Sequence, residues 1–139
     1  MTLSPAGRAT VTGDGSTVAG DAILPTRLTV TGVPDRSFGT AGDGRVVIQG
    51  ASGGEDTTCV AAARAGVFML GAGSSFARLL RDGTPSPRFA PGGITTIGTP
   101  AGLGINPVVL PSPHRAVLAG SLGNGNLYVS RWLLPPEND

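Results

Sequence analysis

Several residue types are scarce in this chain, and each scarcity excludes a class of function. Cys59 is the single cysteine, which rules out an intramolecular disulfide and a cysteine-based zinc site. Lysine is absent, the ten basic residues are dispersed arginines, and the net charge is +1. The chain therefore lacks the dense basic surface that binds nucleic acid or anionic membranes. Aromatic residues make up 4% of the 139 residues, too few for a platform that stacks bases or sugars.

Long apolar runs are absent as well. No stretch approaches the ~20 apolar residues that cross a bilayer. The first residues also lack the charged start and apolar run of a signal peptide. We therefore expect no membrane span, and these observations leave the compartment open.

Glycine and proline are what the chain has in abundance. The 23 glycines and 12 prolines interrupt nearly every window of roughly 15 residues, which excludes long helices. Between them lie short apolar or Thr/Val-rich runs bounded by turn residues, the pattern of strands. The predicted strands are residues 9–12, 17–20, 27–31, 45–49, 58–63, 67–70, 76–80, 94–97, 108–110, 116–118 and 127–133. For the alanine-rich residues 55–65, about two or three turns of helix are the alternative.

Three passages of the chain repeat one another about 50 residues apart. Each runs from a small-residue segment into an arginine, namely Arg27, Arg78 and Arg131. Phe38 and Phe89 follow proline-containing segments at equivalent positions between them. A repeat of this length indicates one supersecondary unit that cannot bury its own apolar face and must stack on neighbours. We therefore expect both phenylalanines to be buried against the following unit.

Turn residues recur with the same spacing. They divide a single domain, residues 1–139, into approximate repeats 1–33, 34–84 and 85–139. Hairpin turns are predicted at Asp14-Gly15, Ala65-Gly66 and Pro113-His114, each between two predicted strands. Further turns are predicted at Asp82-Gly83 and, one unit earlier, at Thr31-Gly32.

A series of motifs gives the repeat a specific character. It comprises Ser37-Phe38-Gly39, the glycine-rich residues 53–54, the hairpin end Leu70-Gly71, residues 76–84 with the sequence FARLLRDGT, and Arg88-Phe89. This series resembles the bacterial delta-60 repeat over nearly the whole chain, and residues 76–84 match it best. The resemblance implies β-propeller-type blades in a large secreted or cell-surface protein. The family has no agreed activity, so the resemblance assigns no function to any residue of this chain. The chain departs from the family's pattern at Ala90, where the family has glycine, and after Arg131, where the Asp-Gly turn is missing.

A serine-hydrolase constellation is the one catalytic hypothesis that the residues allow. Ser52 lies in a G-x-S-x-G pattern after a predicted strand, and Asp56 or Asp82 followed by His114 completes the order Ser, Asp, His. In that hypothesis His114 activates Ser52 and the aspartate orients the imidazole. Against it, a glycine-rich chain matches the pattern readily by chance. The α/β-hydrolase fold also needs the long helices that glycine and proline exclude here. We therefore expect no catalytic site.

Arg27, Arg78 and Arg131 are the candidate binding residues because they recur at matching positions. They are interpreted either as a ring of guanidinium groups for an anionic ligand or as residues on the polar sides of strands that cap neighbouring loops. No metal or cofactor is expected, since His114 is the only histidine and the acidic residues form no D-x-D-x-D-G calcium loop. Cys59 is interpreted as a small buried hydrophobe.

The predicted fold is all-β, with antiparallel, propeller-blade-like repeats of about 50 residues and a small β-sandwich or barrel as the alternative. Eleven predicted strands make fewer than three four-stranded blades, so the chain is an incomplete propeller. Its expected partners are other repeat units or copies of itself. For function we expect a non-catalytic scaffold, or a module that binds a protein or carbohydrate ligand. The alternatives are the serine hydrolase and a structural fragment of a larger surface protein.

Overall fold

The computed structural model describes residues 1–4, 6–49, 59–62, 68–72, 75–96, 104–112, 114–121 and 124–136. These residues form short β-strands and no α-helix, with one 3-10 turn at Pro91–Gly93. The strands are β1 (Thr2–Leu3), β2 (Ala9–Val11), β3 (Asp14–Thr17), β4 (Gly20–Ile23), β5 (Thr26–Leu28), β6 (Ile48–Gln49), β7 (Cys59–Ala62), β8 (Phe68–Ala72), β9 (Ser75–Leu79), β10 (Ile94–Thr96), β11 (Gly104–Ser112), β12 (Arg115–Ser121) and β13 (Leu127–Leu133). The predicted all-β class is confirmed.

The strands pair into four small antiparallel sheets in the described part of the chain, and none of these sheets closes or curls. The first sheet has the order β1-β2-β5 and the second sheet the order β3-β4-β6. The central sheet has the order β10-β9-β8-β7, and the last sheet has the order β11-β12-β13. Most neighbouring strands are also neighbours in sequence, as expected for hairpins joined by glycine-rich turns.

Most strands lie close to their predicted positions. β13 has its predicted bounds, and β7 forms where residues 55–65 had helix as an alternative, so that alternative is wrong over Cys59–Ala62. β11 is longer than predicted, and its pairing with β12 shifts register between Ile105 and Val108. Pro107 lies in that interval, and since proline has no N–H to donate, an irregularity there is expected.

The hairpin predicted at Asp14-Gly15 is wrong. Both residues lie within β3, which pairs with β4 so that Thr17 faces Gly20 and the turn falls on residues 18–19. Gly20 adopts a φ of 110°, which favours glycine. The Thr17 hydroxyl accepts a hydrogen bond from the Ala19 N–H at 3.2 Å and donates one to the Gly20 carbonyl at 3.0 Å. Threonine and glycine together therefore provide the turn chemistry.

The turns predicted one unit apart at Thr31-Gly32 and Asp82-Gly83 are confirmed, and they have the same hydrogen bonds. The Gly32 N–H donates to the Thr29 carbonyl at 3.0 Å, and the Gly83 N–H donates to the Leu80 carbonyl at 2.9 Å. At the third predicted hairpin, β11 and β12 pair up to Ser112 opposite Arg115, with His114 in the turn. Pro113 and the predicted Ala65-Gly66 turn lie outside the described residues.

Two apolar clusters join the sheets. The first cluster lies between the second and central sheets and contains Ile23, Phe38, Ile48, Ala77 and Leu79, all fully or almost fully buried. The second cluster lies between the central and last sheets and contains Phe76, Ala116, Leu118 and Leu134. Because side chains alternate along a strand, β9 sends Ala77 and Leu79 into the first cluster and Phe76 into the second. The central sheet is therefore packed on both faces.

Candidate functional site

A buried arginine marks the junction between the first and central sheets. Arg27 on β5 is 4% exposed, and its Nε donates to the Asp35 carboxylate at 2.9 Å. Its Nη2 donates to the Ser37 hydroxyl at 2.9 Å, and its Nη1 reaches across to the Arg81 carbonyl at 2.5 Å. Its guanidinium carbon lies 4.6 Å from the centre of the Phe38 ring. The guanidinium group is thus hydrogen-bonded in its plane and stacked on an aromatic face, an arrangement that lysine cannot reproduce.

The Asp35 carboxylate is fixed by neighbours on several sides. Oδ1 accepts hydrogen bonds from the Ser37 N–H at 3.0 Å and the Ser37 hydroxyl at 2.7 Å, while Arg8 Nε lies 3.3 Å from Oδ2. Burial raises the pKa of Asp35, but the Ser37 hydrogen bonds and the charges of Arg27 and Arg8 outweigh burial and hold that pKa below its ordinary value. Burial lowers the pKa of Arg27, and Asp35 counteracts part of that effect. Asp35 is therefore an anion at neutral pH and poorly suited to act as a general acid or base there.

The same backbone pattern appears 51 residues later, between the central and last sheets. Arg78 on β9 is 0% exposed, and its Nη1 donates to the Pro135 carbonyl at 2.6 Å. The Ser86 N–H donates to the Arg78 carbonyl at 2.8 Å, as the Asp35 N–H does to the Arg27 carbonyl. Ser86, itself fully buried, thus occupies the position of Asp35. Both arginines reach across to a backbone carbonyl of the next sheet or its flanking segment, but only the first has a carboxylate at the corresponding place.

The two recurring phenylalanines complete the junctions. The Phe38 N–H donates to the Asp35 carbonyl at 2.9 Å, and the Phe89 N–H donates to the Ser86 carbonyl at 3.2 Å. Phe38 is fully buried in the first cluster, and Phe89 packs half-buried against the second. The predicted burial is confirmed for Phe38, although the cluster residues around it belong to repeats 1–33 and 34–84 and not to the following repeat, and Phe89 is only partly buried. We call Arg27 with its phenylalanine the first junction, and Arg78 with its phenylalanine the second junction.

Glycine makes the close approach at the first junction sterically feasible. Gly39 has a φ of 82° and donates its N–H to the Asp82 carbonyl of the central sheet's turn at 2.8 Å. A Cβ at Gly39 would lie 1.9 Å from the Arg45 carbonyl oxygen, and one at Gly83 would lie 2.9 Å from the Phe38 ring. Both glycines therefore occupy positions with no room for a side chain.

Two of the remaining candidate residues, Arg131 and His114, are exposed. Arg131 is exposed on β13, so the structure does not bring it to either buried arginine, and a shared role in ligand binding stays a prediction. His114 is exposed in the turn between β11 and β12, and its carbonyl accepts the Leu134 N–H at 2.9 Å. Ser52 and Asp56 lie outside the described residues, so the hydrolase hypothesis is not tested by the geometry.

Within the described ranges, no group of three histidine, cysteine or acidic side chains is placed to hold a metal ion. No described helix is long and apolar enough to cross a membrane. A small apolar gap of about 10 Å³ lies in the second cluster beside Phe76, Phe89 and Trp132. A gap of this volume holds about one water molecule, so we interpret it as a packing irregularity.

Sequence reasoning did not find the ion pair at the first junction. Asp35 also has a role in a turn, where it accepts the Ser37 N–H, and nothing in the eight-residue spacing from Arg27 by itself indicates a pair. A backbone bridge between Leu28 and Pro34 folds the segment after β5 back beside that strand. This bridge brings the Asp35 carboxylate to the Arg27 guanidinium group.

Comparison of the chain with models of known families, with curated proteins and with solved structures gives no match. The likeness to the delta-60 repeat therefore depends on the motif residues alone.

Proposed function

We propose that this chain is a non-catalytic scaffold built of propeller-blade-like repeats of the delta-60 kind. The observation that carries the proposal is the recurrence of one junction at a spacing of 51 residues. In both copies a buried arginine donates to a carbonyl across the junction and a phenylalanine packs into the facing sheet. Chains whose units interlock in this way act as rigid platforms that present their surface to a partner.

The chemistry of the described residues supports a scaffold over a catalyst. The most buried charged groups among the described residues, Arg27, Asp35 and Arg78, are engaged in hydrogen bonds that hold the sheets together. The ligand of such a platform is a protein or carbohydrate that binds the exposed surface. The resemblance to the delta-60 repeat supports a place for this scaffold in a secreted or cell-surface protein.

The proposal is tested by the cooperativity of unfolding. If the junctions couple the sheets, urea unfolding followed by Trp132 fluorescence and by far-ultraviolet circular dichroism should give coincident transitions. Two separate transitions would show that the sheets are independent and would contradict the scaffold. Hydrolysis of simple p-nitrophenyl esters that is lost in Ser52→Ala would contradict the non-catalytic assignment, with His114→Ala as a second variant and Ser4→Ala as the matched control.

A further inference from the structure

The outer face of the last sheet is apolar and uncovered. Side chains alternate along β13, and the four on its outer side are exposed: Leu127 (86%), Val129 (68%), Leu133 (78%) and, among them, Arg131. The opposite side of β13 faces the central sheet, where Tyr128 and Trp132 pack against the second cluster. One face of this strand is therefore buried, and the other is a band of large apolar residues around a single cation.

The internal repeat identifies the counterpart of this band. Val129 and Arg131 occupy β13 as Phe76 and Arg78 occupy β9, two residues apart on one face of the strand. On β9 that face is covered by the last sheet, and Phe76 and Arg78 are 1% and 0% exposed. The outer face of β13 is thus the position at which the chain's own pattern places another sheet.

The first sheet has a complementary face that is only partly covered, since Thr26 and Leu28 are partly exposed. In the central sheet, the side that receives the first junction is formed by Ala77 and Leu79, followed by Gly83 against the Phe38 ring. The residues 51 positions earlier are Thr26 and Leu28, followed by Gly32, and a Cβ built on Gly32 meets no atom within 4 Å.

Exposed apolar side chains surround this open side of the first sheet. Leu3 lies on the same face as Leu28, since β1 and β5 both pair with β2 in register at Ala9, and Leu3 is 64% exposed. Val30 occupies the position of Arg81, whose carbonyl accepts the Arg27 hydrogen bond in the first junction, and Val30 is 70% exposed. We call this surface the receiving face and the outer face of β13 the donating face.

We propose that the donating face of one chain binds the receiving face of a second copy, with Arg131 donating to the Val30 carbonyl of that copy. This inference rests on the proposed scaffold and names its partner. The contact is head-to-tail, so each copy uses two different faces. Two copies of about three units each would hold about six units, within the range of four to eight blades that closes a propeller. Association removes from water the two apolar surfaces that otherwise stay exposed.

Light scattering coupled to size exclusion tests this directly on the full chain. The expected mass is twice the 13.8 kDa of one chain. Arg131→Glu breaks the donating face and Val30→Asp breaks the receiving face, and each should weaken self-association at least about tenfold. Arg36→Glu and Val47→Asp are the matched controls, since both residues are exposed and lie on neither face, and both variants should keep the wild-type mass.

Mixing the two face variants separates a head-to-tail contact from a symmetric one. Arg131→Glu retains its receiving face and Val30→Asp retains its donating face, so an equimolar mixture should form a heterodimer through one intact junction. A mixture that stays monomeric would overturn the head-to-tail contact. Wild-type chain that is monomeric yet unfolds in one cooperative transition would overturn the assembly and leave the scaffold standing. A chain without a cooperative transition would contradict the scaffold itself.

Discussion

Replacing Phe38 by alanine removes the side chain that joins two sheets. The ring is fully buried among Ile23 and Ile48 of the second sheet and Ala77 and Leu79 of the central sheet. No neighbouring backbone can move in to fill the space without separating strands that are already paired. The substitution should therefore leave a cavity between two sheets and loosen both of them.

The expected loss of stability follows from the burial of the ring and its contact with Arg27. A fully buried Phe→Ala substitution costs about 3–5 kcal/mol in unfolding free energy. The guanidinium group 4.6 Å from the ring centre adds roughly 0.5–2 kcal/mol, because this cation is desolvated. We therefore expect the upper half of the range, a large part of the 5–15 kcal/mol that stabilises a typical domain. Phe38→Leu retains most of the side-chain volume but loses the contact of the ring with Arg27, so it should cost less than Phe38→Ala.

Trp132 is the only tryptophan and reports unfolding from the other side of the central sheet. It packs against the second cluster, whereas Phe38 belongs to the first. In urea titrations of Phe38→Ala, the midpoint of the Trp132 fluorescence transition should fall together with that of circular dichroism. Phe89→Ala should cost less than Phe38→Ala, since Phe89 is only half-buried. A Trp132 midpoint that does not move in Phe38→Ala, or a loss below about 1 kcal/mol, would refute the coupling of the sheets through this ring.

Three further substitutions test the first junction. The pKa of Asp35 is lowered in the folded chain, so its stabilisation is present above the ordinary aspartate pKa of about 3.9 and is lost as the pH falls through the lower folded value. Thermal melts across that acidic range should show a smaller pH dependence for Asp35→Asn than for wild type, and an equal dependence would contradict this. Arg27→Met removes the buried partner of that carboxylate and leaves it the half-exposed Arg8 as its cation, so it should cost up to about 3–5 kcal/mol in urea unfolding. The exposed Arg131→Met should change the stability of the monomer by less than about 0.5 kcal/mol, and equal losses would argue against the junction. Gly39→Ala combines a positive φ with a Cβ 1.9 Å from a carbonyl oxygen and should be far more destabilising than Gly42→Ala, where φ is 68° but the nearest atom is 3.9 Å away. The latter should cost only the roughly 1–2 kcal/mol of the left-handed backbone, and similar losses for both would contradict the steric argument.

The strands of this chain could be predicted because its turns are so strongly marked. Glycine and proline at close intervals leave only short segments, and β9 and β13 fall where Thr/Val-rich or apolar runs meet such residues. β1 was missed because Thr2 and Leu3 are a two-residue strand, too short to give a pattern. It pairs with β2 through a turn in which the Ser4 hydroxyl accepts the Arg8 N–H at 3.1 Å.

The misplaced first hairpin has a physical cause that residue preferences do not capture. Asp-Gly is a strong turn dipeptide, but here the missing side chain of Gly15 makes room for Leu24, whose Cδ1 would lie 2.7 Å from a Cβ at that position. This contact belongs to the observed pairing of β3 with β4, in which Gly15 lies opposite Ala22 and the turn falls beside Gly20, whose φ is positive. Asp14-Gly15 is thus paired within a strand, although the dipeptide favours a turn.

The recurrence of arginine without a recurring aspartate shows which part of the junction the fold requires. A guanidinium group that is buried must find acceptors for its N–H groups, and in both junctions one acceptor is a backbone carbonyl across the junction, from Arg81 or Pro135. A carbonyl can be supplied by any residue, so the acceptor leaves no trace in the sequence. Only the donor is visible as a repeat. The spacing of the arginines could therefore be read from the sequence, whereas the carbonyl that accepts from each buried guanidinium group is visible only in the folded geometry.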